Sequence, residues 1–131
     1  MIGIDTNVLV RYLAQDDPDQ SARVTKLIEG RLTIENPGFI CIVTIVETVW
    51  VLARSYRLVD REIAAAIECI LQADVLVVDS EQAVFAAMIA LREGRGSFAD
   101  ALIGELGAAA GCAYTLTFDR KALQLPGFKR A

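Results

Sequence analysis

The sequence predicts an α/β protein built on a mostly parallel sheet with helices on both faces. Three observations carry that reading. Short β-branched runs alternate with segments of helical period along the whole chain, which is the pattern of repeated βαβ units. Turn signals, among them Asn36-Pro37-Gly38 and the Gly94/Gly96 pair, fall between these segments. Of the 131 residues 54% are apolar, enough for one domain (1–131) that buries about two-thirds of its unfolded surface.

Taken in order, "MIGID" (1–5) reads as a strand that leads through Thr6-Asn7 into a helix-like stretch, Val8 to Leu13. Residues 17–32 carry Val24, Leu27, Ile28 and Leu32 at helical spacing behind Pro18, whose fixed φ and missing amide suit a first turn. "FICIV" (39–43) is a buried strand, and "TIVETVWVLARSY" (44–56) a strongly apolar helix. Ile63, Ile67, Ile70 and Leu71 mark a further helix, "VLVV" (75–78) a third strand, and 80–93 and 97–111 two more helices. "AYTLTF" (113–118) is a strand, and Phe128-Lys129-Arg130 is either a short edge strand or a frayed tail.

Composition excludes several chemistries. The chain has no histidine, which removes Ser-His-Asp triads, histidine-based zinc sites and histidine general bases, so any catalysis must use carboxylates. Cys41, Cys69 and Cys112 stand singly in apolar contexts without metal-knuckle or redox spacing, and are expected to be buried thiols in a reducing cytoplasm. The N-terminus lacks a basic leader region and no apolar run reaches the ~18 residues that span a bilayer, so a cytoplasmic protein without membrane contact is expected. A net charge of −4 argues against coating nucleic acid by counterion release; a nucleic-acid substrate would need metal ions to neutralise the site. The high apolar fraction predicts that some surface belongs to a partner or a second subunit.

The acids carry the functional signal. In open parallel sheets the ligand site lies beyond the carboxyl ends of the strands. Asp5 closes the first strand and Asp119 follows "YTLTF" directly. Glu47 is the only charge between Glu35 and Arg54, and Asp100 and Glu105 are the only charges from Ser97 to Phe118. Each has a bland alternative: Asp5 as a helix cap, Glu47 as a partner of Arg54 two turns on, Asp100 as the acid of a Ser97-x-x-Asp100 capping pattern. Yet four isolated carboxylates at one sheet edge would repel one another without a cation between them. Oxygen-only ligands of this kind suit Mg²⁺ or Mn²⁺, and the chemistry that follows is metal-assisted phosphodiester hydrolysis.

"IGIDTNVLV" at the start, Glu47 in the helix after the second strand, "FADALI" and "TFD" near the end resemble the PIN-domain family, and within it the VapC-type toxin ribonucleases. The resemblance spans essentially the whole chain. It implies a three-layer α/β/α sandwich around a parallel sheet of four or five strands. It also implies a Mg²⁺-dependent endoribonuclease that inhibits growth and is held inactive by a cognate antitoxin. The metal-binding acids would be Asp5, Glu47, Asp100 and Asp119, with Asn7 and Thr117 as supporting polar residues; turn and capping chemistry is the alternative for those two. Members commonly form homodimers, and the antitoxin lies along an apolar groove and places an arginine among the acids. Trp50, Val46 and Tyr56 are the candidate partner-facing residues. Arg92, Arg95, Arg120 and Lys121 would hold RNA phosphates or serve simply as solvated surface charges.

Two other classes remain open on the residues alone. A phosphotransferase with Asp5 as nucleophile also begins with a strand-end Asp, but the haloacid-dehalogenase pattern wants a second acid two residues on, where this chain has Asn7. A catalytically silent binding domain would keep the acids merely as caps.

Overall fold

Every predicted element is present in the computed structural model, which describes residues 1–131. The order is β1 (Ile2–Gly3), α1 (Thr6–Ala14), α2 (Pro18–Gly30), β2 (Gly38–Ile40), α3 (Ile42–Arg54), α4 (Asp60–Gln72), β3 (Leu76–Val78), α5 (Glu81–Arg92), α6 (Phe98–Ala109), β4 (Thr115–Thr117), a 3₁₀ turn (Ala122–Gln124) and β5 (Phe128–Arg130). This is an α/β fold of the expected class, with six helices and five short strands, all paired in parallel.

The strands hydrogen-bond as three and two. β1, β2 and β3 form one sheet in that order, with Ile2 opposite Gly38 and Gly38 opposite Leu76. β4 and β5 form the other, Thr115 opposite Phe128, and the C-terminal segment is therefore an edge strand rather than a frayed tail. The two-stranded sheet is seated on α6 through a glycine: a Cβ at Gly104 would lie 2.7 Å from Cε2 of Phe128. Pro126-Gly127 turns the chain into β5, and Gly127 supplies the φ of +80° that an L side chain resists.

Local chemistry explains most element boundaries. Pro18 opens α2, and the Asp17 carboxylate accepts from the Gln20 amide at 3.1 Å. Ser97 caps α6 by accepting from the Asp100 amide, also at 3.1 Å. α4 begins with the Glu62 carboxylate accepting from the Val59 amide at 3.0 Å. The second strand stops earlier than its sequence suggests. Cys41 is extended as the N-cap of α3, and the Asp79 carboxylate accepts from the Ile42 amide at 3.4 Å, so Ile42 and Val43 are helical. A short apolar run has no periodicity that separates strand from helix, which is why the boundary was not legible.

One contiguous core joins the layers. Leu9 (α1), Ile28 (α2), Ile40 (β2), Ile45 and Leu52 (α3), Ile63 and Ile67 (α4), Met88 (α5) and Leu102 (α6) are all essentially sealed from solvent. Each contributes about 1.5–3 kcal/mol of burial. α5 lies between α4 and α6. It buries Ala83, Ala87 and Ala90 along with Val84, Met88 and Leu91, small side chains that let flanking helices approach from two directions.

Polar contacts fasten the ends of α1 and α3. The Tyr56 hydroxyl donates to Asp16 Oδ2 at 2.7 Å, and Arg11 Nη1 donates to Asp16 Oδ1 at 2.9 Å. The tyrosine bond is the main reason the Asp16 carboxyl sits below its ordinary range and the Tyr56 phenol above its own. These groups lie at the surface, where such pairs contribute little. Tyr56 is thus committed to the chain's own packing and is only half-exposed, unlike Trp50.

The expected burial of the cysteines is corrected. Cys41, Cys69 and Cys112 are all exposed free thiols, because they occupy a helix N-cap, the outer face of α4 and the turn after α6; apolar sequence neighbours do not decide which way a side chain points. The Thr44 hydroxyl, 3.4 Å from Sγ, holds the Cys41 thiol below its usual pKa. Asp5, Glu47 and Asp119 are likewise exposed, so sequence isolation in apolar runs did not mean burial. The apolar excess lies partly at the surface, at Val43, Trp50, Phe85, Ile103, Leu116 and Phe118.

Inside α3 the Thr48 hydroxyl is buried and has no hydrogen-bond partner. Leaving such a group unpaired costs about 1–3 kcal/mol. Thr48→Val, which removes the hydroxyl and keeps the branched shape, is expected to raise stability by about 1 kcal/mol, seen as a higher urea midpoint at unchanged slope. An unchanged or lower midpoint would mean that the hydroxyl is satisfied in solution.

Candidate active site

Asp5 sits where β1 hands over to α1, in extended conformation (φ −84°, ψ 162°). Its backbone carbonyl accepts from the amides of Val8 and Leu9 at 3.1 Å each, which is enough to start the helix. Its carboxylate makes no capping bond, so the cap alternative is not realised. The next residue does the joining. Thr6 is buried at the first position of α1, and its Oγ1 donates to Oε1 of Glu47 on α3. The start of α1, directly after Asp5, is thereby tied to the helix that carries Glu47. No ion pair links Glu47 to Arg54, whose guanidinium instead lies 5.5 Å from the Trp50 ring centroid.

Asp100 is half-buried in the first turn of α6. Its amide is satisfied by Ser97, while the return half of the capping box, from carboxylate to the Ser97 amide, is not formed. The Asp100 carboxylate is therefore free for other work. It borders a groove of about 680 Å³ together with Val46, Trp50, Ser97, Lys121 and Gln124. Val46 precedes Glu47 on α3, and α3 packs against both α1 and α6, so the helix that carries Glu47 adjoins the one that follows Asp5 and the one that carries Asp100.

Asp119 stands apart from this arrangement. It follows β4, which has no ladder to β1, and its Oδ1 accepts from the Lys121 amide at 2.8 Å while its own amide donates to Thr117 Oγ1 at 3.0 Å. Thr117 thus serves the turn around Asp119. Asn7 is exposed in the first turn of α1. Of the basic candidates, Arg92 pairs with Glu68 at 3.1 Å and Arg95 with Glu93 at 2.9 Å. Lys121 and Arg120 have no acidic partner, and Lys121 lines the groove.

Two contributors were missed by sequence reasoning. Thr6 was read only as part of a turn, although a hydroxyl between a strand-end acid and a helix is well placed to orient a carboxylate on a neighbouring element. Asp79 follows "VLVV" as Asp5 follows "IGI", which was a signal in plain view. It supports α3, the helix that carries Glu47, by accepting from the Ile42 amide.

The donor set is chemically suited to a hard divalent cation: carboxylates only, none paired with a basic side chain. No three of the chain's Asp, Glu and Cys residues are close enough to share one ion. The fit is to an ion held by one or two carboxylates, with water and substrate phosphate completing the shell, as Mg²⁺ prefers, and not to a closed protein cage. A second cavity, of about 410 Å³ between α5, α6 and the β4–β5 sheet, is lined by Phe85, Ile89, Tyr114 and Phe128 and touches none of the four acids.

No helix of the chain is long and apolar enough to cross a membrane. Residues 2–127 match the family model described as PIN domain. No curated protein matches the chain. PIN domains have a nuclease-like fold and are typically metal-dependent nucleases acting on RNA. With strand-end Asp5, the α3 acid Glu47 and the α6 acid Asp100 all inside a match that covers nearly every residue, the chain belongs to the PIN-domain family.

Proposed function

We propose that this PIN domain is a Mg²⁺- or Mn²⁺-dependent endoribonuclease and the toxin of a VapC-type toxin–antitoxin pair. The observation that supports this best is that the carboxylates of Asp5, Glu47 and Asp100, the last of which lines the groove, neither complete a helix cap nor meet a cation, and that α3, which carries Glu47, packs against the helices that follow Asp5 and carry Asp100. Exposed carboxylates left in that state repel one another and favour a divalent ion. One or two carboxylates drawn from Asp5, Glu47 and Asp100 would hold an ion directly, and the remaining acids, Asp119 among them, would act through its water shell. The bound ion supplies a charge that polarises the scissile phosphate and the attacking water.

The chain's own residues do the rest. Thr6 restrains the Glu47 carboxylate by donating to one oxygen and leaves the other free to accept from a water. Lys121, unpaired at the groove, meets an RNA phosphate. The exposed apolar surface at Val43, Leu116 and Phe118 is consistent with a homodimer and with an antitoxin segment that docks beside the groove.

The purified chain is expected to cut single-stranded RNA internally with millimolar Mg²⁺ or Mn²⁺ and to stop when chelator is added. It is also expected to scatter light as a species of twice its 14.2 kDa. RNA left intact with both ions would overturn the nuclease reading, and a clean monomer at micromolar concentration the dimer. A small open reading frame just upstream whose product suppresses the cleavage would establish the toxin role.

A further inference from the structure

We propose that the indole of Trp50 is a stacking platform for a base of the single-stranded RNA substrate, beside the scissile phosphate; this rests on the nuclease reading above. Trp50 is the chain's only tryptophan, yet it is 58% exposed. The ring is not a scattered surface residue: with Val46, Val49 and Ala53 of the same helix it forms a continuous apolar strip along the groove. It sits three residues after Glu47, so the two side chains share a face of α3 with Cβ atoms about 5–6 Å apart. A base next to the phosphate at Glu47 is therefore within reach of the ring.

The chemistry of the groove favours RNA over a protein segment. Trp50 and Val46 supply an apolar strip, but Asp60, Ser97, Lys121 and Gln124 line the same groove. The apolar face of a docked helix would leave those polar groups desolvated and unpaired. A nucleotide satisfies both kinds of surface at once, with a base for the ring and with hydroxyls and phosphate oxygens for the polar groups. The cations fit as well. Arg54, over the Trp50 ring, and Lys121, across the groove, are both without acidic partners and free to meet phosphates. Every base has a π-face, so a stack on Trp50 adds affinity with little base preference at that position.

The test uses the full chain and a mixed-sequence RNA hexamer. In chelator, where nothing is cut, saturating hexamer is expected to quench the intrinsic fluorescence of the single tryptophan, while an abasic oligomer of equal length leaves it nearly unchanged. In Mn²⁺, Trp50→Ala is expected to raise KM about tenfold with kcat within about twofold, and Trp50→Phe to recover most of the loss. Equal emission with and without RNA, together with an unchanged KM in Trp50→Ala, would overturn the proposal and assign the ring to a protein partner or a second copy. The two readings fail separately. A parent that is quenched by RNA but never cuts it loses the nuclease reading and keeps the platform; a parent that cuts RNA without being quenched by it, and whose Trp50→Ala variant cuts with the same KM, does the reverse.

Discussion

Asp100→Asn is expected to lower RNA cleavage by about two orders of magnitude or more while leaving the metal-free protein as stable as its parent, or slightly more stable. The substitution separates ligand from cap. Asn keeps the size of Asp, and the Ser97 cap bond uses the backbone amide of residue 100, so the start of α6 is untouched. What changes is one negative charge beside the groove. Removing it relieves like-charge repulsion in the apo protein and removes part of the attraction for a divalent ion. Thermal melts in chelator and in millimolar Mn²⁺ read both effects: the parent gains stability with the ion, and Asp100→Asn loses most of that gain. Asp5→Asn and Glu47→Gln should behave alike. Thr6→Val, which frees Glu47 without altering any charge, should cost about 10–100-fold in rate. An Asp100→Asn protein that still cut RNA and still gained its parent's full metal-dependent stability would end the metal-site reading. A phosphate trapped covalently on Asp5 would point to a phosphotransferase instead. Neither cleavage nor metal response in the parent would leave a silent binding domain.

Phe98→Ala is expected to cost about 3–5 kcal/mol, the largest loss of any single truncation considered, and to lower the melting temperature by roughly 10–15 °C. Phe98 is 2% exposed, at the first position of α6, two residues before Asp100. Its ring is part of the core, and the cavity left by truncation lies directly beneath the turn that presents Asp100. Activity should therefore fall further than the folded fraction alone explains. A loss below about 1 kcal/mol by urea titration would mean that the ring is not packed as described.

Much of this protein follows from sequence alone. The alternation of strand and helix periods, Pro18 and Asp17 at the start of α2, and Ser97 at the start of α6 depend on residues within a few positions of one another, and local interactions are what a sequence displays directly. The same holds for the absence of histidine and for carboxylates at strand ends, which narrowed the chemistry before any contact was known.

What tertiary structure decided is everything that depends on direction across the fold. Apolar neighbours made Cys41, Cys69 and Cys112 read as buried, yet each points outward, because burial is set by which face of an element meets the core. Asp5 had the position of a cap and does not act as one: its carbonyl accepts from the amides of Val8 and Leu9, but its carboxylate accepts from no amide of α1. Glu47 had Arg54 as its nearest cation in sequence and Thr6 as its partner in space, 41 residues away. The grouping of five parallel strands as three and two, which sets Asp119 apart from Asp5, arises from the seating of β5 on α6 at Gly104 and Phe128, a packing relation between distant segments that no local pattern encodes.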